Sequence, residues 1–238
     1  MQTLSEENYL KLIYHLSEDQ TSRISTSALA AKLGVSAASV SEKLQRMAEK
    51  NLIDYEKSRG VTLTQVGQRV ALKVIRKHRI WETFLVKSLS FGWEEVHEIA
   101  EQLEHINSDK LIERIEKLLD YPRFDPHGEP IPDAKGKVSK SCFQTLNEID
   151  ENTMCRITGV KEDSVEFLHL FTKIGLSVGD TLEVKSIEAY DKSLLLKINQ
   201  NKQVYLSREM SQNIWITTNI KCCVFEDINK DCPTDDER

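Results

Sequence analysis

The feature that most constrains the fold is a pair of short helical patterns near the N-terminus, joined by a tight turn. The first pattern, residues 25–34, has Ser25 as a candidate N-cap and ends in Gly34, a residue that is common just after a helix. The second opens at Ser36 and runs to about residue 50. Its apolar positions fall on one helical face: Val40, Leu44 and Met47. A glycine that ends one short helix directly before the next is typical of a helix-turn-helix.

A basic β-hairpin pattern follows the second helix. Two strand patterns, 52–56 and 61–64, flank the turn Lys57-Ser-Arg-Gly60, whose glycine can supply a positive φ. A further amphipathic helix, residues 5–17 with Ser5 as its candidate N-cap, precedes the pair. This order of elements predicts a winged helix-turn-helix DNA-binding domain over residues 1–75. A winged helix that serves protein contacts remains an alternative.

In a winged helix-turn-helix, the N-terminal half of the second helix enters the DNA major groove. We therefore predict a DNA contact surface from small, hydroxyl and basic side chains of this helix and the hairpin. These residues are Ser36, Ala37, Ala38, Ser39, Ser41, Lys43, Arg46, Lys57 and Arg59. Because few of them suit base readout, we expect DNA shape to supplement a modest reading of sequence. The alternative is that the serines only cap the helix and the basic groups only face solvent.

The distribution of charge favours a nucleic-acid partner, although the net charge of −6 does not. Residues 1–80 hold 13 Lys and Arg against 8 Asp and Glu, whereas residues 81–238 hold 19 against 30. A basic N-terminal module joined to an acidic remainder is typical of a binding domain attached to a second function.

Targeting signals are not visible in the sequence. No stretch approaches 18 apolar residues, so we predict no membrane span, and the N-terminus lacks the pattern of a secretory signal. The five cysteines are odd in number and contain no CxxC pair, which favours reduced thiols. These observations predict a cytoplasmic protein.

Histidines and carboxylates recur on one face of a predicted helix over residues 93–106. They are His97, Glu101, Glu104 and His105. His78 and Glu82 make a similar pair, four residues apart, on a predicted long helix over 65–90. Facing helices that offer mixed nitrogen and oxygen ligands can hold divalent transition metals. The alternative is a solvated face, because the opposite side of the 93–106 helix is apolar.

The rest of the chain changes character after a further helix pattern at 108–120. A proline-rich segment, residues 121–132, ends regular structure, and residues 133–150 have the composition of a polar linker. Short β patterns with one helix, at about 163–175, fill residues 151–226 and predict a small all-β barrel. Residues 227–238 form an acidic tail.

Taken together, these motifs resemble the diphtheria toxin repressor family of metal-dependent transcriptional repressors, in its manganese-transport-regulator branch. The matching segments are Ser39-Val-Ser41, Arg76-Lys-His78-Arg, Glu101-x-x-Glu104-His105 and Pro126-His127-Gly-x-Pro-Ile-Pro132. The similarity is specific over 1–132 and weaker over 150–226. It implies a mainly α N-terminal part, with a helical metal-binding and dimerisation domain at 76–132, followed by an SH3-like, FeoA-type domain at 151–226.

The resemblance also implies a set of metal ligands. Glu101, Glu104 and His105 would bind one ion, with His78 and Asn8 contributing from other helices. Glu82 and His97 match an ancillary site, and either Glu166 or His169 could add a ligand from the C-terminal domain. Two residues depart from the family pattern: Asn8 is a weak neutral ligand, and Lys11 stands where a second carboxylate is common. A single ion, or an ion pair using His97 and Glu82, therefore stays open.

The implied function is repression of metal-uptake genes by a homodimer that binds a palindromic double-stranded operator when metal is abundant. Position 101 is Cys in iron-responsive members, and the harder carboxylate of Glu101 favours Mn²⁺, with Fe²⁺ as the alternative and Zn²⁺ able to substitute in vitro. No enzymatic activity, membrane or small-molecule substrate is expected. The competing hypotheses are a metal-independent winged-helix regulator that senses another ligand through its C-terminal domain and, with less support, a metallohydrolase.

Overall fold

A computed structural model describes residues 3–18, 23–138 and 144–219 of the chain. The predicted acidic tail at 227–238, the end of the predicted C-terminal domain at 220–226 and four of the five cysteines lie outside the described residues. The fifth, Cys155, is a buried free thiol, and burial raises its pKa to about 12.

The N-terminal elements follow the order that the sequence predicts. Three helices, α1 (Leu4–Glu18), α2 (Thr26–Leu33) and α3 (Ala37–Glu49), precede an antiparallel hairpin of β1 (Ile53–Glu56) and β2 (Gly60–Leu63). The Ser25 and Ser36 hydroxyls cap α2 and α3 by accepting the backbone N–H groups of Ala28 and Ser39. Gly34 ends α2 at φ 65°, a left-handed conformation that suits glycine. The helix-turn-helix and its wing are therefore present.

The start of α1 differs from the prediction that Ser5 is its N-cap. The helix begins at Leu4, and Thr3 caps it: its hydroxyl accepts the Glu6 N–H at 3.3 Å, while the Glu6 carboxylate accepts the Thr3 N–H at 3.1 Å. This reciprocal pair satisfies the backbone N–H groups of both Thr3 and Glu6. Ser5 could not form the same pair, because the residue three positions later is Asn8 and not Glu or Gln.

Three further helices complete the α part: α4 (Gln65–Leu89), α5 (Val96–Leu103) and α6 (Asp109–Leu118). The helix predicted over 93–106 is shorter than expected, because the chain turns after Leu103, whose carbonyl accepts the Ile106 N–H at 3.0 Å. Glu104 and His105 consequently lie in a turn. None of the described helices is long and apolar enough to cross a bilayer.

The C-terminal domain is a six-stranded antiparallel sheet with the order β3-β8-β4-β5-β6-β7. Its strands are β3 (Gln144–Thr145), β4 (Met154–Val160), β5 (Thr181–Ile187), β6 (Leu194–Ile198), β7 (Lys202–Leu206) and β8 (Ile214–Thr217). A 3₁₀ turn (Leu146–Glu148), α7 (Val165–Ile174) and α8 (Arg208–Ser211) accompany them. This sheet confirms the predicted small all-β domain, and within residues 144–219 its two end strands do not pair with each other.

Part of the predicted polar linker belongs to this domain. Leu146 is fully buried in an apolar core that includes Leu168 and Phe171 of α7 and the inward side chains of the sheet. A separate core under the hairpin is built from residues such as Leu10, Leu44 and Val61.

The chain divides into two compact units, each of which is described by itself below. The first holds α1–α3, the hairpin, α4 up to His78, and residues 101–109 and 132–138. The second holds residues 79–100 and 110–131 together with the C-terminal sheet.

Candidate functional site

The first unit contains a cluster of ionisable side chains around Lys11, which we call the Lys11 cluster. Glu7 and Lys11 come from α1, His78 from α4, Glu101 from α5, and Glu104 and His105 from the turn after α5. The structure thus brings four of the predicted ligands, His78, Glu101, Glu104 and His105, to one place.

The tightest contact in the Lys11 cluster joins His78 and Glu104, whose Nδ1 and Oε2 atoms lie 2.6 Å apart. Only 2% of the Glu104 side chain is exposed. Burial opposes ionisation of this carboxyl, but the hydrogen bond with His78 and the charge of Lys11 outweigh it and lower the pKa of Glu104. Glu104 is therefore a buried carboxylate held in its charged form.

The Lys11 ammonium provides the positive charge at this carboxylate. Its Nζ lies 2.7 Å from Glu104 Oε2, 3.2 Å from His78 Nδ1 and 3.7 Å from Glu101 Oε1. The same Glu104 oxygen therefore serves both His78 and Lys11. As these side chains are placed, the cluster does not fit a divalent ion, because a cation already contacts the atoms that would bind one.

The other predicted members of this site are arranged less closely. His105 contacts Glu7, with Nδ1 and Oε2 2.7 Å apart, and its Nε2 lies 3.7 Å from Glu104 Oε1. Asn8 is exposed, and its side chain forms no hydrogen bond with any residue that the structure describes. Instead of Asn8, α1 contributes Glu7 and Lys11 to the cluster.

A second cluster, which we call the His127 cluster, lies in the second unit. Its members are Glu82 of α4 and Asp125 and His127 of the proline-rich segment, all three buried. One ligand atom from each side chain lies within 4.8 Å of the other two. Two carboxylates and one imidazole at that spacing can bind a divalent cation.

A compact turn presents Asp125 and His127 from a segment without regular structure. Asp125 Oδ1 accepts the backbone N–H groups of His127 and Glu129, each at 2.9 Å. Gly128 adopts φ 90°, and a Cβ at this position would lie 2.1 Å from the carbonyl oxygen of Thr158. Only glycine therefore permits this close approach between the turn and β4.

Two buried carboxylates dominate the electrostatics of the His127 cluster. Burial disfavours the imidazolium, but the neighbouring Glu82 and Asp125 carboxylates outweigh it and raise the pKa of His127 to about 9. Burial, followed by the charge of Glu82, raises the pKa of Asp125. Asp125 Oδ2 is buried without a hydrogen-bond partner in the described part of the chain, although Arg79 Nε lies 3.6 Å away. An unsatisfied buried carboxylate oxygen beside a second carboxylate fits a bound metal ion.

Two further side chains border this cluster. His97 Nδ1 lies 3.4 Å from Glu82 Oε1 and 3.6 Å from Asp163 Oδ2. The predicted pairing of Glu82 with His97 is thus present in the structure, and Asp163 joins it.

The two residues proposed as additional ligands lie elsewhere. Glu166 and His169 are both exposed on α7, and His169 Nε2 lies 3.7 Å from Glu94 Oε1. The acidic residue of this region that contacts His97 is Asp163, just before α7.

Sequence reasoning did not identify Asp125 and His127 as site residues. From the sequence, this segment is interpreted as the end of regular structure and as one of the motifs of the family resemblance, and no ligands are assigned to it. The available signal was a histidine two residues after an aspartate and directly before a glycine, among four prolines.

The predicted DNA contact surface is largely exposed. Ser36, Ala37, Ala38 and Ser39 at the start of α3 and Lys57 and Arg59 in the hairpin turn all face solvent. Ser41 donates its hydroxyl to the Ala37 carbonyl at 2.9 Å, and Arg46 pairs with Glu42 on the same helix. Lys43 is only 23% exposed and lies 4.0 Å from Glu6. The surface thus consists of small side chains and exposed cations of the hairpin.

Comparison with known proteins gives three family matches along the chain. Residues 1–61 match the iron dependent repressor N-terminal DNA binding domain, residues 64–133 the iron dependent repressor metal binding and dimerisation domain, and residues 144–218 the FeoA domain.

Individual relatives include the iron-dependent repressor IdeR of Mycobacterium tuberculosis, 36% identical over 126 residues that span 53% of this chain and 54% of IdeR. The chain therefore spans about half the length of this relative. The transcriptional regulator MntR of Oceanobacillus iheyensis is 33% identical over 151 residues, 63% of this chain and 99% of MntR. A solved manganese-dependent transcriptional repressor in complex with manganese superposes with a TM-score of 0.79 at 36% identity, covering 89% of this chain and 98% of the other.

Proposed function

The chain belongs to the iron-dependent repressor family, and we propose that it is a metal-dependent, DNA-binding transcriptional repressor. The observation that carries the proposal is the His127 cluster, in which a buried carboxylate oxygen of Asp125 has no hydrogen-bond partner among the described residues. Burying two carboxylates beside one another is unfavourable unless a cation compensates them. The cluster lies in the segment that matches a metal binding and dimerisation domain.

We propose Mn²⁺ as the activating ion and Fe²⁺ as the alternative. Glu82, Asp125 and His127 would hold it, with His97 and Asp163 beside them. This donor set contains two carboxylates and no thiolate, which suits a hard divalent ion. When bound, the ion supplies the positive charge that compensates both carboxylates. Zn²⁺ can bind more tightly in vitro, because affinities of such sites follow the Irving–Williams order.

The nucleic-acid partner in this proposal is a double-stranded, palindromic operator bound by a homodimer. The start of α3 is exposed and carries small side chains, so its backbone can approach the major groove closely. Lys57 and Arg59 lie in the hairpin turn, where they can contact phosphates of the adjacent backbone. Two such surfaces related by a two-fold axis would read two half-sites.

Metal and DNA would act on each other by linkage. If the metal-bound dimer is the form that fits the operator, each ligand tightens binding of the other by the same factor. The output we propose is repression of metal-uptake genes when the ion is abundant, in line with the manganese- and iron-dependent repressors among the relatives.

The test uses the full chain and a duplex selected from random sequence with the Mn²⁺-loaded protein. Fluorescence anisotropy should show tight binding with Mn²⁺ and at least tenfold weaker binding with EDTA, since coupling energies are typically about 1–3 kcal/mol. The double variant Asp125→Asn/His127→Ala should bind weakly in both conditions. The matched control His169→Ala removes an exposed histidine of the same unit and should behave as wild type. DNA binding that chelation leaves unchanged would refute the proposal.

A further inference from the structure

The Lys11 cluster differs from the His127 cluster in how closely a permanent cation approaches its buried carboxylate. Lys11 Nζ lies 2.7 Å from Glu104 Oε2, whereas Arg79 Nε lies 3.6 Å from Asp125 Oδ2. We propose that the Lys11 ammonium takes the place of a divalent ion at Glu104 and His78, so that these side chains stay in contact without a metal ion. The chain would then bind one regulatory ion, at the His127 cluster. The identity of that ion rests on the proposed function, whereas the role of Lys11 does not.

The distances around Glu104 support this assignment. A carboxylate oxygen and an imidazole nitrogen that share a metal ion each lie about 2 Å from it. Here Glu104 Oε2 and His78 Nδ1 are 2.6 Å from each other, and Lys11 Nζ is 2.7 Å from the first and 3.2 Å from the second. A divalent ion placed on these two atoms would have to displace an ammonium that is already within hydrogen-bond reach of both.

Burial makes the ammonium hard to displace. Only 12% of the Lys11 side chain and 2% of the Glu104 side chain are exposed, so water compensates neither charge fully. Removing one partner of a buried ion pair leaves the other charge uncompensated, which is strongly destabilising. In the His127 cluster the Arg79 guanidinium lies 2.8 Å from the Glu129 carboxylate and 3.6 Å from Asp125 Oδ2, an oxygen that has no hydrogen-bond partner in the described part of the chain.

Because Lys11 lies on α1, an ammonium in place of a metal ion also affects how α1 is held in the first unit. Five residues earlier, the buried Glu6 carboxylate accepts a hydrogen bond from Lys50 just after α3 at 2.6 Å and lies 4.0 Å from Lys43. Helix α1 therefore contacts α3 through Glu6 and the Glu104 turn through Lys11. With a lysine in this place, the position of α1 against these two elements does not depend on metal.

The first experiment counts ions in the full chain. Electron paramagnetic resonance of free Mn²⁺ measures the bound equivalents in wild type, Lys11→Glu and the control Lys32→Met, which removes an exposed cation of α2. We expect one equivalent in wild type and in the control. Lys11→Glu replaces the cation with a carboxylate and should bind one more equivalent of Mn²⁺ than wild type. The same gain is expected when Lys11→Glu is added to Asp125→Asn/His127→Ala, which lacks the ligands of the His127 cluster. Two equivalents in wild type, reduced to one by Glu104→Gln, would overturn the proposal.

The second experiment needs no metal. In EDTA, Lys11→Met should lower the Tm by roughly 5 °C or more, because it strands a buried carboxylate. Lys11→Arg keeps a cation and should restore most of the loss, and added Mn²⁺ should raise the Tm of Lys11→Met more than that of Lys32→Met. An unchanged Tm for Lys11→Met in EDTA would contradict the assignment.

These outcomes separate the two proposals. If the repressor function is wrong, wild type binds DNA regardless of chelation, yet Lys11→Met still loses stability in EDTA and Lys11→Glu still gains an ion. If only the role of Lys11 is wrong, DNA binding responds to Mn²⁺ while Lys11→Met and Lys11→Glu behave as the Lys32→Met control.

Discussion

The imidazole Nε2 of His127 lies 2.9 Å from the backbone carbonyl oxygen of Trp93, to which it donates its hydrogen. The two rings also stack, with centroids 5.5 Å apart and an angle of 22° between their planes. These contacts fix the ring so that Nδ1 faces Glu82, whose Oε2 is 3.7 Å away. A carbonyl that holds one imidazole nitrogen as a donor leaves the other available as a metal ligand.

The orientation of His127 leads to a prediction about metal affinity. His127→Ala removes the nitrogen donor of the cluster and should weaken Mn²⁺ binding at least 100-fold, since loss of even an outer hydrogen-bond partner typically costs about 10–100-fold. Isothermal titration calorimetry of the full chain measures the Kd. His15→Ala, on α1 in the other unit, serves as the control and should leave the Kd within about twofold. Equal affinities for wild type and His127→Ala would remove this residue from the site.

Gly128 offers a test of the turn that presents these ligands. Gly128→Ala places a Cβ 2.1 Å from the Thr158 carbonyl oxygen at φ 90°, so the turn must move. We expect a loss of stability of more than about 2 kcal/mol and weaker Mn²⁺ binding. The matched control is Gly179→Ala, which has φ 98° but no heavy atom within 4 Å of the new Cβ. The control carries only the backbone cost of about 1–2 kcal/mol and should retain full Mn²⁺ affinity. Urea unfolding and calorimetry together distinguish the two variants.

The Glu6 carboxylate predicts an acid-sensitive contact between α1 and α3. Burial opposes its ionisation, but hydrogen bonds with the Lys50 ammonium and the Thr3 backbone outweigh burial and lower the pKa of Glu6 below 4.5. A folded-state pKa below the unfolded value stabilises the protein above pH 4.5, and this contribution is lost as the pH falls through the folded pKa. Glu6→Gln should therefore reduce the free energy of unfolding by about 1–3 kcal/mol at pH 7 and by progressively less below pH 4.5. A difference between the two proteins that grows on acidification would contradict the assignment.

Most of the winged helix was predictable from local sequence because its boundaries depend on local chemistry. Ser25 and Gly34 form the predicted caps of α2, and the next helix opens at Ser36 as predicted. The end of α5 was missed, since the turn at Leu103 has neither glycine nor proline to mark it. Asp125 and His127 were missed for a different reason: their approach to Glu82 depends on tertiary packing of an irregular segment, which no helical or strand periodicity reports.

Lys43 and Lys57 were both predicted to contact DNA, but the structure gives them different surroundings. The Lys43 ammonium lies 4.0 Å from the buried Glu6 carboxylate, whereas Lys57 is exposed in the hairpin turn and forms no ion pair with a described residue. A lysine that contacts a phosphate releases about one counterion, so its removal should reduce the slope of log K against log salt by about 1. We expect that reduction for Lys57→Ala.

Lys43→Ala should leave this salt slope unchanged, because its charge is already compensated within the protein. Fluorescence anisotropy with the selected duplex measures both slopes at about 50–200 mM salt. Over this range, DNA affinity falls by roughly tenfold for every few phosphate contacts, so a change of about 1 in the slope can be measured. Lys192→Ala, in an exposed turn of the C-terminal domain, controls for the change in net charge. A salt slope reduced by Lys43→Ala and not by Lys57→Ala would place the phosphate contact on α3 and remove the hairpin turn from the DNA interface.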